Sequence, residues 1–210
     1  MARHQPFQII GYHSCDKDIG LKILNGQTEL IPSNNDWDWL GGGVYFWEQD
    51  PKHALDYAID VANGDQHNSG KIVTPFIIGA IIELGNCLNL VESQSLSIIK
   101  EAHIGLVKLY GELGKKLPTN RDAIRKLDCS VIRYIHQSRK EAGEQMYDTI
   151  RSAFDEGEKV YEGASFTSRH HIQVCVINET LIRGYFLPRP LEEFNPYFNK
   201  KFIKTTQNKP

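Results

Sequence analysis

Three short stretches of this 210-residue chain carry side chains able to hold a flat, polar ligand. The first is Tyr12-His13-Ser14, at the end of the β-prone run 7–12 (FQIIGY). A histidine fixed at a strand end can donate a hydrogen bond to a sugar hydroxyl, and the backbone beside it offers one donor and one acceptor to a carboxamide. The second is the GGGVYFWE stretch at 41–48, which sets Tyr45 in a short apolar strand, and the third is Tyr57 on the helix that follows. Two tyrosines can sandwich a planar ring and, where that ring is cationic, attract it through their π faces. Each residue also has a plainer reading: a hydrogen-bonded histidine, a core tyrosine, and helix packing for Tyr57.

Charged groups add a second layer. Glu156, Glu158 and Glu162 stand in the polar run 155–166 (DEGEKVYEGASF), which reads as a loop, each either a site carboxylate or a solvated one. Between Lys115 and Glu141, eight Lys or Arg face three acids, although the whole chain has a formal net charge of only -2. Arg121, Arg125 and Arg133, at spacings of four and eight, fall on one face of an expected helix, either a solvated surface or a phosphate-tracking stripe. Cys15, Cys87, Cys129 and Cys175 are far apart, with no CxxC pair and no metal-like spacing to a histidine. They read as reduced, buried thiols, and no metal centre is expected.

Positioning these groups falls to the elements around them. A composition of 40% hydrophobic and 24% charged residues supports one folded domain over 1–210. The pattern predicts a helix over 16–24 closed by Asn25-Gly26, then an ordered, turn-rich loop over 32–43 anchored by Trp37 and Trp39. A strand at 44–47 follows, and Asp50-Pro51 caps a helix to about Asn63 with Ala54, Leu55, Ala58 and Val61 inward. Beyond a polar turn at 63–70, the stretch 72–84 reads as one bent strand or two short ones. A helical block is expected over 93–154, broken by Gly111, Gly114 and Pro118, with Ile124, Leu127, Val131 and Ile135 as a core stripe. Strands return at 172–177 and 181–186, and the tail beyond 188 reads as an extended surface segment. Strands at both ends around a central helical insertion argue for an α+β fold, and no GxGxxG follows the first strand to suggest a doubly wound one. No apolar run approaches the roughly 18 residues that cross a bilayer, so a cytoplasmic protein without membrane contact is expected.

In this order and spacing, YHS, GGGVYFWE and Tyr57 together resemble the diphtheria-toxin-like ADP-ribosyltransferases, the family that includes the poly(ADP-ribose) polymerases. The resemblance is strong over 9–60 and weaker over 171–186. It implies split antiparallel sheets with NAD as the substrate. His13 would hold the adenine-side ribose, Ser14 and its backbone the nicotinamide amide next to Gly43, and Tyr45 and Tyr57 the two faces of the nicotinamide ring. There are two departures from the family pattern. Position 53 is a histidine where a small hydroxyl residue is usual, and Gln173 stands at the start of a late strand where many members carry glutamate. A glutamine there keeps a hydrogen bond to the nicotinamide ribose but loses the charge that would support a cationic sugar. The resemblance therefore implies transfer of a single ADP-ribose unit, with an assisting carboxylate among Glu156, Glu158 and Glu162. The implied acceptor is RNA, DNA or protein, in the manner of intracellular bacterial toxins restrained by an antitoxin or inhibitor protein. The alternatives are NAD hydrolysis, removal of a 2′-phosphate from RNA, and a non-catalytic module that binds NAD or ADP-ribose.

Overall fold

The computed structural model describes residues 8–64, 71–121 and 124–204. Along them run β1 (Gln8–Asp16), α1 (Lys17–Leu24), β2 (Val44–Glu48), α2 (Pro51–Asn63), β3 (Pro75–Glu83), β4 (Cys87–Asn89) and α3 (Ser93–Glu112). Then come β5 (Asn120–Arg121), β6 (Ile124–Arg125), α4 (Lys126–Glu141), β7 (Thr149–Lys159), β8 (Thr167–Val176), β9 (Ile182–Phe186) and the short α5 (Leu191–Phe194). Seven strands form a sheet in the order β4-β7-β8-β2-β1-β3-β9, antiparallel except for the parallel β4–β7 pair, and β5–β6 is a separate small ladder. The α+β expectation holds. The resemblance implies split sheets, whereas these seven strands are hydrogen-bonded into one. The two halves nonetheless meet through only two residue pairs of β1 and β2, Gly11–Glu48 and Tyr12–Trp47.

Successive strand side chains point to opposite faces, and this divides the core. Val44 and Phe46 of β2, Phe76, Ile78, Ala80 and Ile82 of β3, and Val174 and Val176 of β8 pack with Ile23 of α1. On the other face, Trp47 and Ile77 pack with Ala54 and Leu55 of α2. Tyr45, Ile150 and Cys175 instead meet Ala102 and Leu106 of α3 and Val131, Ile132 and Ile135 of α4. Two helical blocks thus share one face, and the seam between them falls between Tyr45 and Trp47.

Helix α2 forms where its sequence demands. Asp50 accepts a hydrogen bond from the His53 N–H at 2.9 Å, Pro51 occupies the first turn, and Gly64 closes the helix with φ 94°. Asp50→Ala should cost about 1 kcal/mol, a fall of roughly 2–4 °C in thermal midpoint, while Asp50→Asn retains the cap and the midpoint. Equal midpoints for Asp50→Ala and the wild type would show that the cap contributes nothing.

Several expectations need correction. The helical block ends at Glu141 rather than 154, because 149–159 is strand β7, paired with β8. Glu156 and Glu158 therefore lie in a strand, and Glu162 in the turn after it. Helix α4 begins only at Lys126, where the Asn120 side chain accepts from the N–H groups of Leu127 and Asp128. Arg121 and Arg125 thus belong to the β5–β6 ladder and share no helix face with Arg133. Strand β1 continues through His13 and Ser14 to Asp16, and β8 starts at Thr167, so Gln173 sits well inside it. The 72–84 stretch holds the single strand β3, the first of its two expected forms.

The tail is docked rather than extended. Asn195, 1% exposed, accepts from the Ile77 N–H at 2.8 Å and donates to the Ile77 carbonyl at 3.0 Å. The four cysteines are free thiols, and burial pushes Cys15 up to about 12. Phe7, most of the 63–70 turn and the last six residues lie outside the described residues. Among the described residues, no helix is long and apolar enough to cross a membrane.

Candidate functional site

Strands β1 and β2 part immediately after the Tyr12–Trp47 pair, and backbone alternation dictates what that exposes. In an antiparallel sheet each residue turns its N–H and C=O together toward one neighbour or the other. The Ile10 carbonyl accepts from the Gln49 N–H at 3.0 Å and Tyr12 pairs with Trp47, so even-numbered β1 residues address β2. Ser14 is next in that series. Its β3 partner Ile77 gives both backbone groups to Asn195, away from β1, which likewise directs the Ser14 N–H and C=O away from β3. The ladder would resume at Tyr45, but the Tyr45 carbonyl accepts from His13 Nδ1 at 2.8 Å. Gly43 is meanwhile held to Ser33 by reciprocal backbone bonds of 2.8 and 2.9 Å. A Cβ on Gly43 would stand 2.5 Å from Cys175 Sγ and 2.7 Å from the Val176 carbonyl, so only glycine permits this approach. Ser14 is left presenting one donor and one acceptor to the gap. Its hydroxyl is already committed, donating to the Ala54 carbonyl of α2.

His13 fills the mouth of the gap, its ring 5.6 Å from that of Phe46. A carbonyl can only accept, so Nδ1 carries the proton. Burial holds the imidazole pKa below its usual value. The ring is therefore neutral at pH 7 with Nε2 as an acceptor, and it receives a bond from a hydroxyl where the sequence suggested that it would donate one.

Tyr45 anchors as well as lines. Its hydroxyl accepts from the Leu40 N–H at 2.9 Å and donates to the Gly41 carbonyl at 2.7 Å, tying the tryptophan-bearing loop to β2, and burial raises its pKa. The Tyr57 ring lies 5.1 Å from that of Trp47. Trp47 itself keeps a buried indole N–H with no hydrogen-bond partner among the described residues.

These groups border a cavity of about 640 Å³ that also takes in Trp37, Trp39, His53, Glu156 and Gln173. Register explains why: Ser152–Gln173, Phe154–His171 and Glu156–Arg169 are direct β7–β8 pairs, so Gln173, His171 and Glu156 share one face. His171 is 4% exposed; its Nδ1 donates to the Arg169 carbonyl at 2.8 Å, and its Nε2 lies 3.1 Å from the Gln173 amide nitrogen. The His53 ring sits 4.2 Å from that of His171, and burial, reinforced by His171, lowers the His53 pKa. Glu158 and Glu162 are exposed and outside the cavity lining.

The arginines do other work. Arg133 donates to the carbonyls of Asn34 and Asn35 and to the Asn34 side chain, Lys126 pairs with Asp36 at 2.8 Å, and Arg125 lies over Trp39 at 5.1 Å. They brace the loop, while Arg121 stays exposed in β5, and none of the three arginines lines the cavity. His171 escaped the sequence reading. Its signal was a His at even spacing from Gln173 in the late strand.

No family model and no solved structure matches this chain. The uncharacterized protein MJ0359 of Methanocaldococcus jannaschii is 26% identical over 206 residues, covering 89% of this chain and 91% of that protein. The chain is thus similar to the archaeal protein along nearly the full length of both, a likeness that assigns no chemistry to the cleft.

Proposed function

We propose that the cleft binds NAD and that the protein is a mono-ADP-ribosyltransferase, cleaving the nicotinamide–ribose bond and passing ADP-ribose to a macromolecular acceptor. The observation that carries this reading is the Ser14 peptide, which offers one donor and one acceptor to the gap between β1 and β2. A carboxamide needs that pair. In this reading the Ser14 N–H donates to the amide oxygen, its carbonyl accepts from the amide nitrogen, and His13 Nε2 accepts from a ribose hydroxyl. The rings of Tyr45 and Tyr57 border the nicotinamide.

As the glycosidic bond lengthens, its electron pair leaves with nicotinamide and the sugar becomes cationic. Glu156 supplies the negative charge that Gln173 lacks and accepts the proton of the attacking acceptor group. The family resemblance extends the proposal to an RNA, DNA or protein acceptor inside the cell and to a protein that neutralises the enzyme.

Labelled NAD incubated with the protein and cell lysate should release nicotinamide and leave label on a macromolecule. Separate protease, DNase and RNase digestion then names the acceptor class. His13→Ala should lower turnover by about 10–100-fold, the loss of one well-placed hydrogen bond, and should also lower the thermal midpoint, because the Tyr45 carbonyl loses its donor. Free ADP-ribose as the sole product would redirect the reading to hydrolysis. Absence of both NAD binding by calorimetry and nicotinamide release would end it.

A further inference from the structure

We infer that His53, Glu156 and His171 form a site for a divalent transition-metal ion of the zinc type, at the seam where α2 meets β7 and β8. The three come from separate elements, and each offers a ligand atom, all within 4.8 Å of one another. Zinc bonds of about 2.0–2.2 Å place neighbouring ligand atoms about 3–3.5 Å apart, so closure by up to about 1.5 Å is needed. His53, half-buried in the first turn of α2, and Glu156, half-buried on β7, can supply it by side-chain rotation.

His171 is already oriented for the task. Its Nδ1 donates to the Arg169 carbonyl at 2.8 Å, the outer hydrogen bond that characteristically fixes the tautomer of a metal-binding histidine. That leaves Nε2 unprotonated, where it now receives the Gln173 amide at 3.1 Å and where an ion would take the amide's place. Two imidazoles with one carboxylate suit zinc, cobalt or nickel, whereas magnesium and calcium prefer oxygen ligands alone. Three protein ligands also leave a coordination position open toward the cleft, for water or an anionic oxygen. The sequence could not reveal the set, because residues 53, 156 and 171 have no common motif spacing.

The inference stands independently of the NAD reading, although an ion held here would draw Glu156 away from a bound ribose and so oppose transfer. The test uses the full chain stripped with chelator, without NAD. Calorimetric titration with Zn²⁺ should show one ion per chain, and Co²⁺ should produce a visible absorption band of a nitrogen- and oxygen-ligated ion. His53→Ala and Glu156→Gln should each weaken Zn²⁺ by more than about 100-fold, beyond the effect of losing an outer-shell contact. Excess Mg²⁺ or Ca²⁺ should leave Zn²⁺ binding unchanged. His171→Ala should act in the same way where circular dichroism shows it folded, and the two half-buried positions decide the matter where it is not. Absence of saturable Zn²⁺ binding at millimolar concentration, or binding unaltered in both His53→Ala and Glu156→Gln, would overturn the site. Either failure leaves NAD binding by the wild-type protein untouched, so the two proposals fall separately.

Discussion

Glu156→Gln is expected to reduce ADP-ribosyl transfer by about 10²–10³-fold while leaving NAD affinity nearly unchanged. A charge facing a sugar that becomes cationic only at the transition state lowers the barrier without tightening the ground state, and losses of this size follow removal of one such electrostatic partner. The substitution preserves shape and half-burial, so the thermal midpoint should hold. The companion variant Gln173→Ala removes the amide that contacts His171 and should act more weakly, since it takes away a hydrogen bond but no charge. Single-turnover rates with enzyme in excess over NAD, measured in chelator so that no ion competes for the carboxylate, give the comparison. Should Glu156→Gln turn over normally while Gln173→Ala is inactive, the carboxylate role would pass out of β7 and the glutamine would carry the reaction alone.

What the sequence disclosed about this site was whatever is local in the chain. Asp50, Pro51 and the apolar positions of α2 are set within a few turns of one another, and helix α2 matches them nearly to the residue. The same holds for Val44–Glu48, whose run of apolar residues between glycines and a cap has no competing interpretation. Strand β7 was hidden for the opposite reason. Its outer half alternates, but between polar residues such as Asp155, Glu156 and Glu158, and the pairing with β8 that gives the alternation meaning is invisible in one strand. The basic stripe failed because a single side chain, Asn120, fixes where α4 starts, putting Arg121 and Arg125 outside it. Asn195 illustrates the limit. Nothing near it in sequence hints that its amide completes the backbone of Ile77, 118 positions away, and thereby settles which way Ser14 faces.

Arg151→Met should be the most destabilising of the substitutions considered, at about 3–5 kcal/mol, or roughly 6–20 °C in thermal midpoint. Arg151 of β7 reaches across β8 to Glu48 of β2, with Nε 2.5 Å from one carboxylate oxygen and a terminal nitrogen 2.9 Å from the other. The two side chains are only 17% and 10% exposed, so this is a two-pronged pair largely out of water rather than a surface contact worth a few tenths of a kcal/mol. Removing the guanidinium leaves the Glu48 carboxylate buried beside apolar strands with no countercharge, and that desolvation, more than the lost attraction, sets the cost. In the double variant Arg151→Met/Glu48→Met both charges are gone, the volume is kept, and most of the stability should return, whereas a pair contributing mainly through mutual attraction would leave the double variant as weak as the single. The bridge also ties the strand bearing Tyr45 to the strand bearing Glu156, so the folded fraction of Arg151→Met should lose transfer activity that the double variant regains. Urea unfolding of the wild type, both single variants and the double variant measures the coupling directly, and a loss below about 1 kcal/mol for Arg151→Met would reclassify the pair as an exposed one.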